Sequence, residues 1–135
     1  MADTLTADLY TAITGDATLS ALIGTRLYPG IASQDAQTPY CTYNEISLIG
    51  DYTLQGASGV RTKRIQISVF AKRGNGGRTT VNSIVEGLLT LLDGKTGTMG
   101  SSSLFHVSVV GSVSDYEADR SIYVHHIDFE FLYNI

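Results

Sequence analysis

Arg61-Thr62-Lys63-Arg64-Ile65-Gln66-Ile67-Ser68-Val69-Phe70-Ala71 decides the fold. Ile65, Ile67 and Val69 alternate with Arg64, Gln66 and Ser68, the two-residue period of a strand with one buried face. Gly74 to Gly77 breaks the strand, and the period then changes. Val81, Ile84, Val85, Leu88, Leu89 and Leu92 form one apolar stripe, which predicts a helix over Thr79 to Leu92, closed by Asp93-Gly94. Burying six such side chains, at roughly 1.5–3 kcal/mol each, makes that helix the main core builder.

Upstream, Leu5, Leu9, Ala12 and Ile13 recur at helical spacing behind a possible cap at Asp3 or Thr4. A second helical piece, Ala17 to Ile23, ends at Gly24. Pro29 and Pro39 bracket a polar stretch expected to be a loop. Tyr40 to Ile46 reads as a strand, and Leu48 to Val60, with Gly50, Gly56 and Gly59, as a long flexible excursion. Downstream, Gly94 to Ser103 reads as a second loop and Leu104 to Val113 as a strand. A turn over Ser114 to Arg120 then leads to a last strand over Ser121 to Tyr133, paired as a hairpin. The expected fold is α+β in the order α-β-β-α-β-β: an antiparallel sheet of about four strands with its long helix on one face.

The chain of 135 residues suits one domain spanning 1–135. A net charge of −4 argues against the broad basic surface of a nucleic-acid binder. A lone cysteine, Cys41, cannot form an internal disulfide, which suits assembly in a cytoplasm. No apolar run approaches the roughly 18–20 residues that span a membrane. Met1 to Thr4 has neither the basic start nor the apolar core of a secretion signal.

The candidates for chemistry each have a plainer reading. Gly74-Asn75-Gly76-Gly77-Arg78-Thr79-Thr80 could cradle a phosphate at a helix start, but it lacks the Gly-Lys-Ser/Thr ending. A turn with Thr79 or Thr80 as cap accounts for it. His125 and His126 are strand neighbours and point to opposite faces. His126, Asp128 and Glu130 share a face, but adjacent members stand roughly 6.6–7 Å apart along a strand, too far for all three to hold one ion. Asp115, Glu117 and Asp119 lie where acids are common in turns. Cys41 has no cation beside it to favour a thiolate. Lys63, Arg64, Lys72, Arg73 and Arg78 form the only basic cluster, with Lys63 and Arg64 on opposite faces. No cofactor or metal site follows.

Several short motifs remain: Leu19-Ser20-Ala21-Leu22-Ile23-Gly24, Arg26-Leu27-Tyr28-Pro29-Gly30, Thr38-Pro39-Tyr40-Cys41-Thr42-Tyr43 and the closing Ile127-Asp128-Phe129-Glu130-Phe131-Leu132-Tyr133. With the helix over Val81 to Leu92, they resemble the tail-completion, or tail-terminator, family of tailed bacteriophages. That resemblance implies a structural virion protein, not an enzyme, in a ring of its own copies, with six the expected number. Such a ring sits in the neck, caps the tail-tube protein, ends tube growth and meets the head-closure or connector protein. DNA passes through its channel without specific recognition, and no membrane is involved.

Within that role, Leu48, Ile49, Asp51, Tyr52, Leu54 and Gln55 are expected to reach a neighbouring subunit or the tube, and Gly94 to Ser103 is the second choice. Asp128 and Glu130 are expected to face the channel. The alternatives are another neck component, a small metal-dependent or phosphate-binding enzyme built on His126, Asp128 and the Gly74 loop, and a ligand-binding module.

Overall fold

A computed structural model describes residues 3–32, 37–118 and 121–134. Helix α1 (Leu5–Gly15) begins where the Asp3 carboxylate accepts the Leu5 amide at 3.0 Å. Its buried side chains, Leu5, Leu9 and Ile13, repeat every four residues and so lie on one face. Asp16 ends α1 and caps α2 (Ala17–Ile23) by accepting the Leu19 amide at 3.2 Å. Strand β1 (Leu27–Pro29) follows, then β2 (Tyr40–Thr53) and β3 (Gly56–Lys72). One 3-10 turn (Arg73–Asn75) leads to α3 (Arg78–Leu92), β4 (Gly97–Met99), β5 (Ser102–Glu117) and β6 (Ile122–Asn134).

The sheet order is β1-β2-β3-β6-β5-β4, with β1 parallel to β2 and the other pairs antiparallel. This corrects the expected four-stranded antiparallel sheet with one long helix. The sheet is six-stranded and mixed, curls into a half-barrel, and carries three short helices. The two added strands are three residues long, too short for any alternation to show. The loop expected over Leu48 to Val60 is also corrected: its residues extend β2 and β3 as a paired ribbon. Gly56 and Gly59 sit at positive φ (121° and 87°), where the ribbon needs a backbone that side chains resist. In the same way, β5 runs on to Glu117 where a turn was expected from Ser114. Asp119, Arg120, Met1 and Ala2 lie outside the described residues.

The three helices cover one face of the sheet. Leu9, Ile13, Leu19, Ile84 and Leu88 meet Ile65, Ile67, Ile127, Phe129 and Phe131 in one core. Helix α2 approaches α3 at Gly87, where a Cβ would stand 2.7 Å from Leu19 Cδ2. The start of α3 is capped by Gly77 at φ 54°, one position before Arg78, rather than by Thr79 or Thr80. On the sheet's other face the register aligns Gln66 with Asp128, Ser68 with His126, and Arg64 with Glu130.

Candidate assembly surface

The feature that stands out from this scaffold is an arm. Pairing between β3 and β6 stops at Val60 and Asn134, while β2 and β3 stay paired to Thr53 and Gly56. Among the described residues, the ribbon beyond Val60 therefore has no sheet on either side. Its two-residue tip, Leu54-Gln55, is pinned by Thr53 Oγ1, which accepts the Gln55 amide at 3.2 Å and donates to the Gly56 carbonyl at 3.1 Å. Ser58 Oγ donates to the Asp51 carbonyl at 3.1 Å. These bonds tie the two strands of the arm together near its tip.

At its base the arm is anchored by charge. Asp3 accepts from Lys63 Nζ (3.2 Å), Arg61 (3.0 Å) and the Tyr133 hydroxyl (2.6 Å), and Lys63 also reaches Glu45 at 3.3 Å. Lys63 is 5% exposed, so a full charge is buried with two carboxylates beside it. Burial works to raise the Asp3 carboxyl. The bonds from Tyr133, the Leu5 amide and Lys63 outweigh that and hold it down at about 2.

Leu48, Ile49, Asp51, Tyr52, Leu54 and Gln55 all lie exposed on the arm and the adjoining stretch of β2. Leu54 is fully exposed at the tip, with Tyr52 (73%) and Ile49 (64%) behind it. These bare apolar groups on one projection make it a candidate contact surface. By contrast, Gly94 to Ser103 is tethered: β4 pairs with β5, and Ser102 Oγ donates to Asp8 at 2.6 Å. Burial works to raise the Asp8 carboxyl, but that hydroxyl, Thr4 and the amides of Ser101 and Ser102 pull it down.

Sequence reading missed a second apolar stretch, on β5. Val109, Val110, Val113 and Tyr116 are exposed there, and both faces of the strand are open from Val109 to Tyr116. The signal was the adjacent pair Val109-Val110, which a strand with one covered face would not place side by side.

Asp128 and Glu130 share the face away from the helices, but in different states. Asp128 accepts from Arg64 (2.6 and 3.2 Å) and from Gln66 (3.0 Å), so its charge is compensated locally. Glu130 is half-buried and makes no ion pair among the described residues. His126 Nδ1 lies 2.6 Å from Ser68 Oγ. A nucleophile would need substrate access, and Ser68 is 3% exposed, while the nearby acid, Asp128, is turned to Arg64. His125 meets Ser114 at 3.1 Å, and burial, then the charge of Arg78, lowers its pKa.

Among the described residues no three of His, Cys, Asp and Glu gather as a metal site would require. The Gly74 loop forms the 3-10 turn leading into α3. Lys72 and Arg73 are exposed, Arg78 lies over the Tyr123 ring at 5.1 Å, and Lys63 and Arg64 are held on opposite faces. The basic residues thus form no single patch. An open groove of about 690 Å³ between α2 and α3, lined by Asp16, Thr18, Asn82, Glu86 and Thr90, brings together neither a cation nor a nucleophile with its base. No described helix is long and apolar enough to cross a membrane.

A model of the family described as tail completion protein gp17 matches residues 7–134. Among solved structures, a chain of "Virion of native gene transfer agent (GTA) particle" superposes with a TM-score of 0.79. The alignment covers 97% of this chain and 95% of that one at 18% identity, a likeness of fold. No curated protein sequence matches.

Proposed function

The chain belongs to the tail completion protein gp17 family, and on that premise we propose that six copies close into a ring that caps the tail tube. Its role is structural rather than enzymatic, as a component of the tail of a phage-like virion. The ring ends tube growth and offers the surface on which the head-closure or connector protein docks. The observation that carries this reading is the arm, a paired ribbon whose apolar tip at Leu54 has nothing to cover it among the described residues. The tip and its neighbours Leu48, Ile49, Asp51, Tyr52 and Gln55 meet the adjoining subunit or the tube protein.

Glu130 supports the passage of DNA through the ring. Its carboxylate is unpaired among the described residues, whereas Asp128 is already neutralised by Arg64. A wall of such acids repels phosphates and lets the duplex slide without recognition.

Tube polymerisation tests the reading. Purified tube protein should stop lengthening when this protein is added, and electron microscopy should show a cap at one end. Tubes that grow to the same length with and without it would refute the terminator role. Binding to a connector without any effect on tube length would assign the chain to another neck position.

A further inference from the structure

We infer that Asp3 is a positioning residue for the arm: its carboxylate clamps the arm's root to the start of α1, and that grip sets the direction in which Leu54 is presented. The inference rests on the arm being the contact surface proposed above, and adds what aims it.

One carboxylate holds both sides. Asp3 Oδ1 accepts the Leu5 amide at 3.0 Å, in the first turn of α1. Asp3 Oδ2 accepts three donors from the sheet: Arg61 Nη1 at 3.0 Å, Lys63 Nζ at 3.2 Å and the Tyr133 hydroxyl at 2.6 Å. Arg61 directly follows Val60, where pairing with β6 ends and the arm begins. Arg61 and Lys63 leave the same face of β3, roughly 6.6–7 Å apart along the strand, and converge on one oxygen. Swinging the arm away from α1 would stretch both contacts at once.

The other strand of the arm is tied into the same cluster. Glu45 of β2 reaches Lys63 Nζ at 3.3 Å, and that ammonium lies 5.9 Å from the centre of the Tyr133 ring. Two acids thus meet two cations where α1, β2, β3 and β6 come together. Lys63 is buried, and water screens a buried charge little.

The arm needs such a hold. A two-stranded ribbon by itself is marginally stable in water. The register of β2 on β3 shifts between Glu45 and Ser47 and again between Gly50 and Tyr52, and such irregularities bend a ribbon. The pairs Leu48–Lys63 and Gly50–Arg61 lie between those two shifts. The clamp therefore grips the segment from which the arm departs. Asparagine could not do the same work. Its amide places a donor where one of the two acceptor oxygens stands, so either the Leu5 amide or the three sheet donors lose their acceptor.

Spin labels test it. Gln55→Cys at the tip and Thr90→Cys on α3 place both labels at exposed positions, and Cys41 is buried and stays unlabelled. Double electron–electron resonance on the full chain should give one narrow distance. Asp3→Asn should broaden and shift it. Arg61→Met, at a partly exposed side chain, should do likewise and serves if Asp3→Asn folds poorly. Ile23→Val, a core change in α2, should lower the thermal midpoint and leave the distance as it was. Tube capping, compared at the same interval below each variant's midpoint, should be lost in Asp3→Asn and kept in Ile23→Val. Unchanged distances in Asp3→Asn and Arg61→Met would overturn the inference and leave the arm's contact role standing. A broadened distance with capping intact would break the link between aim and function. If wild type never caps a tube, the proposed function fails, and the label distances still decide whether Asp3 aims the arm.

Discussion

Lys63 Nζ lies 3.2 Å from the Asp3 carboxylate across 60 positions of sequence, and this buried pair fastens α1 to the root of the arm. Removing one member leaves the other charge without its partner in a poorly solvated place. Asp3→Ala should destabilise the fold by about 2 kcal/mol, less than a fully buried pair because Arg61 and Asp3 keep some contact with water. Urea titration followed by circular dichroism measures it.

The same carboxylate sets an acid limit. Unfolded, it would take up a proton near 3.8; folded, near about 2. Its stabilisation is thus complete above the higher value and is lost as pH falls through the lower. Thermal midpoints measured downward from pH 5 should drop over that window, and the drop should be shallower in Asp3→Asn.

Burial raises the Cys41 thiol to about 12, so it stays protonated at neutral and mildly alkaline pH. A thiol reagent at pH 8 should leave the folded protein unmodified and label it fully in denaturant. Rapid labelling of the folded chain would contradict its burial.

Gly87→Ala tests the contact of α2 with α3. Alanine favours a helix by about 1 kcal/mol, but its methyl would press on Leu19, which is fully buried. The clash should win, with a net loss of about 1 kcal/mol seen by thermal or urea unfolding.

Leu54→Ser should leave stability within about 0.5 kcal/mol, since the side chain touches no core. Tail-length control should nevertheless fail in the tube polymerisation assay. Equal damage to stability and capping would mean the tip belongs to the fold.

The core was legible where periodicity is long. Val81, Ile84, Val85, Leu88 and Leu92 of the helix stripe and the Ile65, Ile67, Val69 alternation are buried in the structure as their spacing implies, with Leu89 half-buried at the margin. The arm was misread because Gly50, Gly56 and Gly59 look like loop chemistry, whereas here they serve a bulged ribbon. Lys63 falls in phase with Ile65, yet its burial depends on Asp3, which no local pattern reveals. The arm residues were singled out from the sequence, but the open side of β5 was not, because missing neighbours are a property of the assembled sheet.

Strand order also constrains when this chain becomes competent. β6 is synthesised after β5 yet inserts between β5 and β3, and the Tyr133 hydroxyl then reaches Asp3 across 130 positions. Without β6, no strand would join the β1-β2-β3 half of the sheet to the β5-β4 half. The sheet is thus joined into one piece only by the strand that comes last in the sequence.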